Sequence, residues 1–378
     1  MVRCTVAHVN LAALQANYRA IEAFLDSRTS PERRSPNIVA VVKANAYGHG
    51  ARHVAQALEQ AGATMLACAD VEEGIVLRQA GVKGRILVFG ALSVSDLAGL
   101  FEHDLTPTCS TPAAGRALQA AAAARNRRLR YHLKIDTGMN RLGFRHDNLQ
   151  RTLPELFASP NLDLAAVYTH FATADDPLDP LFDTQRRRFD EAIGRLDAMG
   201  VHPPARHAAN SAALVRDPRT WFDFVRPGIL LYGVAPFGTG LPVTLRPVLS
   251  LRSRIVAVKN VRAGESVGYG GRFVPDTPRL VATVPAGYAD GLDTRLGGRG
   301  HVLVAGRRAP IVGAVSMDML AVDVTGLPAE PGDEVVFLGS QGHDEITVRE
   351  MADAIGTIPY EILCRIGARI ERIYDGTD

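Results

Sequence analysis

The chain has 378 residues, 47% of them hydrophobic and 22% charged, with a net charge of +2. That length suits two domains of ordinary size, and that composition excludes a disordered chain. So small a charge, with the basic residues scattered, leaves no electrostatic footprint for nucleic acid, and no apolar segment reaches membrane-spanning length.

The opening stretch, MVRCTVAHVNLAAL, interrupts its apolar residues with His8 and Asn10 and so lacks the core of a signal peptide. Cys4, Cys68, Cys109 and Cys364 share no metal-ligand spacing and read as reduced thiols. Together these features predict a cytoplasmic protein.

From residue 35 to 230, short apolar runs alternate with longer, alanine-rich amphipathic runs. The predicted strands are Ile38–Val42, Thr64–Ala67, Arg85–Phe89, Leu105–Cys109, Leu129–Ile135, Leu162–Thr169, Arg206–Ala208 and Phe224–Arg226. Helices are predicted over Ala51–Gln60, Val71–Gln79, Pro112–Arg125 and Thr184–Met199. Eight such units close a parallel (β/α)8 barrel of the TIM type, an α/β fold. Past residue 240 the texture becomes β-rich and punctuated by glycine, nearly free of helical period until residue 347. The expected organisation is a barrel over 1–240, FGTGLP (237–242) as linker, and a mostly antiparallel β-domain over 241–378. Residues 1–10 are candidates to pair with that second domain.

In such a barrel the reactive groups gather at the C-terminal ends of the strands. Lys43 stands at the end of the first run, in AVVKANAYGHG. His132, Lys134 and Asp136 alternate at period two in RYHLKIDTGMNRLG, with Arg141 in the loop behind. His170 ends the sixth strand, His207, Asn210 and Ser211 the seventh, and Arg226 the eighth. Barrels commonly bind phosphate with the loops after strands seven and eight. Here Ser211 offers a hydroxyl there, and Gly228 allows close backbone approach. A lysine opposite a phosphate site suggests a phosphorylated carbonyl cofactor, because a primary amine condenses with an aldehyde. Pyridoxal phosphate fits both ends.

Each residue alone has a plainer reading. Lys43 suits a rim lysine that snorkels or pairs, and the 132/134/136 set suits a solvated strand face. Ser211 suits a helix cap, Arg226 an ion-pair partner, and Tyr269, in VGYGGR, a hairpin decoration. These readings weaken together, since independent accidents would not all fall at one end of one barrel.

The segments AVVKANAYGHG, HLKIDTGMNRLG, YTHFATAD, HAANSAA, VRPGILLYG, VGYGGRF, PAGYADG, VGAVSMD and TIPYEILCRIG, in this order, resemble the bacterial alanine racemases that use pyridoxal 5'-phosphate on a barrel plus β-domain. The resemblance implies interconversion of L-alanine and D-alanine, for cell-wall peptidoglycan or for alanine catabolism. It implies Lys43 as the cofactor's covalent partner and one acid/base, and Tyr269 as the other on the opposite face. Tyr47 would lie in the cofactor's loop. Ser211, Gly228, Ile229 and Tyr360 would hold the phosphate, and Arg226 would face the pyridine nitrogen. Arg141 and the backbone of Met317 would take the substrate carboxylate. His170 would tune Tyr269 and His207 would steady Arg226. Lys134 matches a lysine that many members carry as a carbamate beside Arg141. No metal is implied. A head-to-tail homodimer is, with the β-domain of one chain covering the barrel of the other.

The pattern departs at Asn140, where glycine is usual, at Ala314, where a basic or polar residue is found in some members, and in DTRLGGRG (293–300), where Arg295 stands one step off. Three rival readings share some of these features. A related racemase or a barrel decarboxylase uses the same scaffold, but a decarboxylase typically sets an acid, not Arg226, at the pyridine nitrogen. A single-barrel cofactor carrier has no β-domain. A metal hydrolase using His132, Asp136 and His170 would leave the phosphate loops without a role.

Overall fold

The computed structural model describes residues 4–90, 97–238 and 240–376. Eight parallel strands form Asn37–Val41, Met65–Cys68, Arg85–Val88, Leu105–Cys109, Leu129–Asp136, Leu162–Tyr168, Arg206–Asn210 and Phe224–Arg226. Each pairs with the next in chain order. The eighth returns to the first, Phe224 opposite Asn37 and Val225 opposite Ile38, so the sheet closes into a barrel. Such strands are covered on both faces and read as apolar runs. The fifth departs from that rule where it matters. Tyr131, Leu133 and Ile135 are buried apolar positions, while the intervening His132 and Lys134 are buried polar ones facing the barrel interior.

The helix predicted over 184–199 begins at Leu181, because the Asp179 carboxylate accepts the N–H of Leu181 and Pro180 sets the entry. Among the described residues, no helix is long and apolar enough to cross a membrane. In the predicted linker, Thr239 lies outside the described residues.

The second sheet is antiparallel except at one edge. Its order is Ala257–Val261, Arg279–Val284, Leu320–Asp323, Arg307–Val312, His301–Val304, Glu334–Gln341, Leu249–Arg254, Val6–Asn10 and Glu371–Asp375. Val6–Asn10 pairs antiparallel with Leu249–Arg254 and parallel with Glu371–Asp375. Ala7 and Val9 are fully buried there. Asn10 then caps the helix Leu11–Arg28 by accepting the N–H of Ala13.

Two features lock the sheet domain onto the barrel near Lys43. Arg372, from the last strand, donates to the carbonyl of Gly48 at 3.1 Å. Gly48 has φ 80°, and a Cβ there would run into the carbonyl oxygen of Leu363. The segment after Lys43 is thus pressed between the two domains.

Candidate active site

Lys43 follows the first barrel strand and opens a turn of unusual hand. Ala44, Asn45, Ala46 and Tyr47 have φ of 52°, 52°, 56° and 51°, four successive non-glycine residues in the left-handed helical region. Each costs roughly 1–2 kcal/mol relative to the right-handed conformation, less for asparagine. The surroundings hold this turn in place. Ala44 N–H donates to Glu73 Oε1 at 2.7 Å, and the Asn45 side chain accepts from Ala51 N–H at 2.8 Å. His49 Nδ1 lies 3.0 and 2.8 Å from the carbonyls of Ala46 and Tyr47, so its proton sits on that nitrogen. The turn aims Lys43 into the barrel mouth instead of along the strand.

The mouth is a cavity of about 620 Å³ lined by Lys43, Tyr47, Lys134, Arg141, Tyr168, His170, Asn210, Ser211, Arg226, Gly228 and Tyr360, among others. Four cations, Lys43, Lys134, Arg141 and Arg226, border it, and the acid on its wall is the exposed Asp175. Burial and the charge of Arg141 pull the Lys43 ammonium below the usual lysine range, with Cys364 and Glu73 opposing. Lys134, 5% exposed, is pushed down to about 8 by burial and by Arg141 and Arg226. Asp136 shapes the adjoining loop by accepting the N–H groups of Gly138 and Asn140 at 2.9 and 3.1 Å. Asn140 takes φ 55°, a conformation asparagine tolerates in place of glycine.

Arg226 is 3% exposed and, among the described residues, has no carboxylate partner in the ion pairs of this molecule. Neutral acceptors hold it instead. Nη2 donates to the carbonyls of Thr169 and Ala208 at 2.7 and 2.8 Å and to His170 Nδ1 at 3.3 Å. Nη1 donates to His207 Nδ1 at 2.8 Å. Arginine only donates, so His207 carries its proton on Nε2, which faces His132 Nδ1 at 2.9 Å. Burial, first, and the Arg226 charge, second, keep His207 and His170 well below the ordinary histidine range. The Tyr168 ring stacks on His207 at 4.6 Å and lies under both Lys134 and Arg226. Beside the first strand, where Val41 N–H donates to the Pro227 carbonyl at 3.1 Å, Gly228 N–H donates to Ser211 Oγ at 2.9 Å. A Cβ on Gly228 would collide with the Tyr47 hydroxyl, so only glycine lets that backbone approach.

The fold therefore brings Lys43, Tyr47, Lys134, Arg141, His170, Ser211, Arg226, Gly228 and Tyr360 to one cavity, with His207 and Ile229 buried behind its wall. Two expected members stand apart. Tyr269, in the one-turn helix Tyr269–Gly271 of the β-domain, is 77% exposed, Met317 is 51% exposed, and neither lines the cavity of its own chain. Among the described residues, no cluster of His, Cys, Asp or Glu is placed to hold a metal.

Two family models cover the chain: alanine racemase, N-terminal domain, matches residues 9–236, and alanine racemase, C-terminal domain, matches 248–374. The chain belongs to the alanine racemase family. It is 42% identical over 377 residues to the alanine racemase of Symbiobacterium thermophilum, covering 99% of this chain and 98% of that one. It is 43% identical over 373 residues to that of Carboxydothermus hydrogenoformans, covering 97% and 98%. The crystal structure of alanine racemase from the D-cycloserine producer Streptomyces lavendulae superposes with a TM-score of 0.92 at 38% identity, over 100% of this chain and 98% of that one. The Bacillus anthracis alanine racemase with bound L-Ala-P gives 0.91 at 38% identity, over 100% and 96%. The protein is thus a racemase, and so an isomerase, on a barrel plus β-domain.

Three residues at or behind this cavity, Tyr168, His132 and Glu73, escape a motif reading. The sixth strand ends at Tyr168, two residues before His170 and earlier than the sequence suggests, and both residues line the cavity. His132 belongs to a visible cluster, but its bond to His207 crosses the barrel and has no local sign. Asp70 and Glu73 spell a capping box, in which the glutamate would return to the N–H of Asp70. Instead Glu73 reaches Ala69 and Ala44.

Proposed function

We propose that the protein interconverts L-alanine and D-alanine with pyridoxal 5'-phosphate in the barrel mouth, as a cytoplasmic homodimer whose chains complete each other's sites. The observation that carries this reading is the four-cation cavity that a half-buried lysine shares with Ser211, Gly228 and Tyr360. A phosphorylated cofactor and a carboxylate substrate are both anions, and a cavity with one exposed acid on its wall is built for them. The glycine whose Cβ would meet Tyr47 adds the close backbone approach that a phosphate needs.

The residues present thus fit the cofactor. Lys43 would bind it covalently, Ser211, Gly228, Ile229 and Tyr360 would hold its phosphate, and Arg226 would donate to its ring nitrogen. When bound, the cofactor captures the amino group of the substrate and acidifies the proton on its α-carbon.

The remaining work falls to this chain's side chains. Lys43, with its proton affinity lowered by burial, has a free amine at neutral pH more often than an exposed lysine and can take or return a proton on one face of the α-carbon. Tyr269 of the partner subunit would serve the other face, which explains its exposure in a single chain. Arg226 can donate a hydrogen bond but has no acceptor capacity, so it leaves a ring nitrogen unprotonated. Weak electron withdrawal then favours return of the proton to the α-carbon over its transfer elsewhere. Arg141 would pair with the substrate carboxylate, alongside the Met317 backbone of the partner subunit. The Lys134 amine, titrating near 8, has a substantial neutral fraction at physiological pH. That fraction can add to carbon dioxide with loss of a proton, giving an anion beside Arg141.

Incubation of the purified protein with L-alanine, followed by chiral chromatography, should yield D-alanine up to equal amounts. Borohydride reduction should attach the cofactor to the peptide containing Lys43. A protein that forms no D-alanine and traps no cofactor on Lys43 would overturn the reading.

A further inference from the structure

We propose that Glu73 is the positioning residue that holds the left-handed turn in place and so sets where Lys43 presents its amine. The proposal rests on the reading of Lys43 as the reactive lysine. Four consecutive left-handed residues do not persist on their own, and each end of the turn needs an anchor. At the far end, Arg372 donates to the Gly48 carbonyl and Asn45 caps the following helix. At the near end, Ala44 N–H, next to Lys43, donates to Glu73 Oε1 at 2.7 Å, and Glu73 Oε2 accepts from Ala69 N–H at 2.7 Å.

Ala44 and Ala69 lie just past the first and second barrel strands, and Ala69 lines the cavity. One planar carboxylate therefore ties together the catalytic ends of two adjacent strands. Glu73 is itself fixed, since its N–H donates to Asp70 Oδ1 at the start of the helix Val71–Gln79. Its role requires two acceptor oxygens and no donor, which glutamate offers and glutamine does not. In Glu73→Gln the amide NH2 must confront one of the two N–H groups. The same carboxylate also brings a negative charge near Lys43 and opposes the effect of burial on its amine.

The test is hydrogen exchange of the full-length holoenzyme, read at single amides, for the parent and for Glu73→Gln. Exchange at Ala44 and Ala69 should become about tenfold faster, the scale of one charge-assisted hydrogen bond, with the strand Leu129–Asp136 unchanged. In parallel, kcat should fall by about tenfold or more while KM stays within about threefold, because a displaced amine harms proton transfer more than substrate capture. Adding Ala44→Gly, which adopts the left-handed conformation without strain, should recover a part of the lost kcat. Unchanged exchange at both amides would overturn the proposal, as would a loss confined to KM. Should Glu73→Gln fail to fold, the same comparison is made in the Ala44→Gly background with the same readings. Exchange reports on the turn itself, so a parent without racemase activity would sink the functional reading and leave this test intact.

Discussion

A guanidinium with no anion beside it, as at Arg226, must be held by neutral acceptors, and those acceptors must stay neutral. Protonating His207 would destroy the lone pair that receives Nη1 and set two cations 2.8 Å apart. Burial pushes His132 down to about 3 and His49 to about 4, and it keeps His207 well below the ordinary range. In the unfolded chain each would titrate near ~6.5. Below that value the unfolded state binds protons that the folded state refuses. The stability these histidines contribute is therefore complete above about pH 6.5 and is lost as pH falls toward the folded values. The loss amounts to at most about 1.4 kcal/mol per pH unit for each histidine, about 4 kcal/mol per unit for the three. Urea unfolding at pH 7.5, 6 and 5 should show stability falling steeply below pH 6.5. A flat profile from 7.5 to 5 would mean that these histidines are already charged in the fold.

At the scale of elements, the helix Leu11–Arg28 joins the two domains through one side chain. Asn17 Nδ2 donates to the carbonyls of Leu231 and Arg246 at 3.0 and 2.8 Å, and its Oδ1 accepts from Arg246 N–H at 2.8 Å. Residue 17 is buried, so Asn17→Leu leaves two carbonyls and one N–H without partners in the segment leading from barrel to sheet. Each such group costs about 1–3 kcal/mol, so a total loss of about 3 kcal/mol or more is expected as a lower unfolding midpoint. KM for alanine should change little, since Asn17 does not line the cavity. Elements of this kind were unevenly readable. The barrel strands follow local apolar runs and the helix Ala51–Gln60 a local apolar period, and these, with the helix Val71–Gln79, stand within two residues of where the sequence places them. The left-handed turn had no such signal, because Ala44, Ala46 and Tyr47 all prefer the right-handed region and only tertiary contacts reverse them. Residues at strand ends, such as Lys43, Arg226 and His170, were legible because a barrel gathers strand ends. Glu73 and Asn17 act through backbone partners far along the chain, and no short motif encodes that.

At the scale of the whole molecule, the cavity of one chain lacks Tyr269 and Met317 in its lining. Arg141 is exposed at its rim, while Tyr269, Met317, Met319 and Ile358 present large side chains to solvent. In the proposed dimer a second chain would cover these side chains. Two-fold symmetry makes a quantitative test possible. In a mixture of Lys43→Ala and Tyr269→Phe chains, each inactive alone, half of the randomly reassorted dimers are mixed. Each mixed dimer holds one intact site, built from Lys43 of one chain and Tyr269 of the other, and one doubly altered site. Activity should then return to about a quarter of the parental value after reassortment. A site completed within a single chain would recover nothing under the same conditions. Affinity tags of two kinds, with mass analysis of the isolated mixed dimers, establish that exchange has occurred. Mixed dimers in hand without activity would show that Tyr269 does not act across the interface.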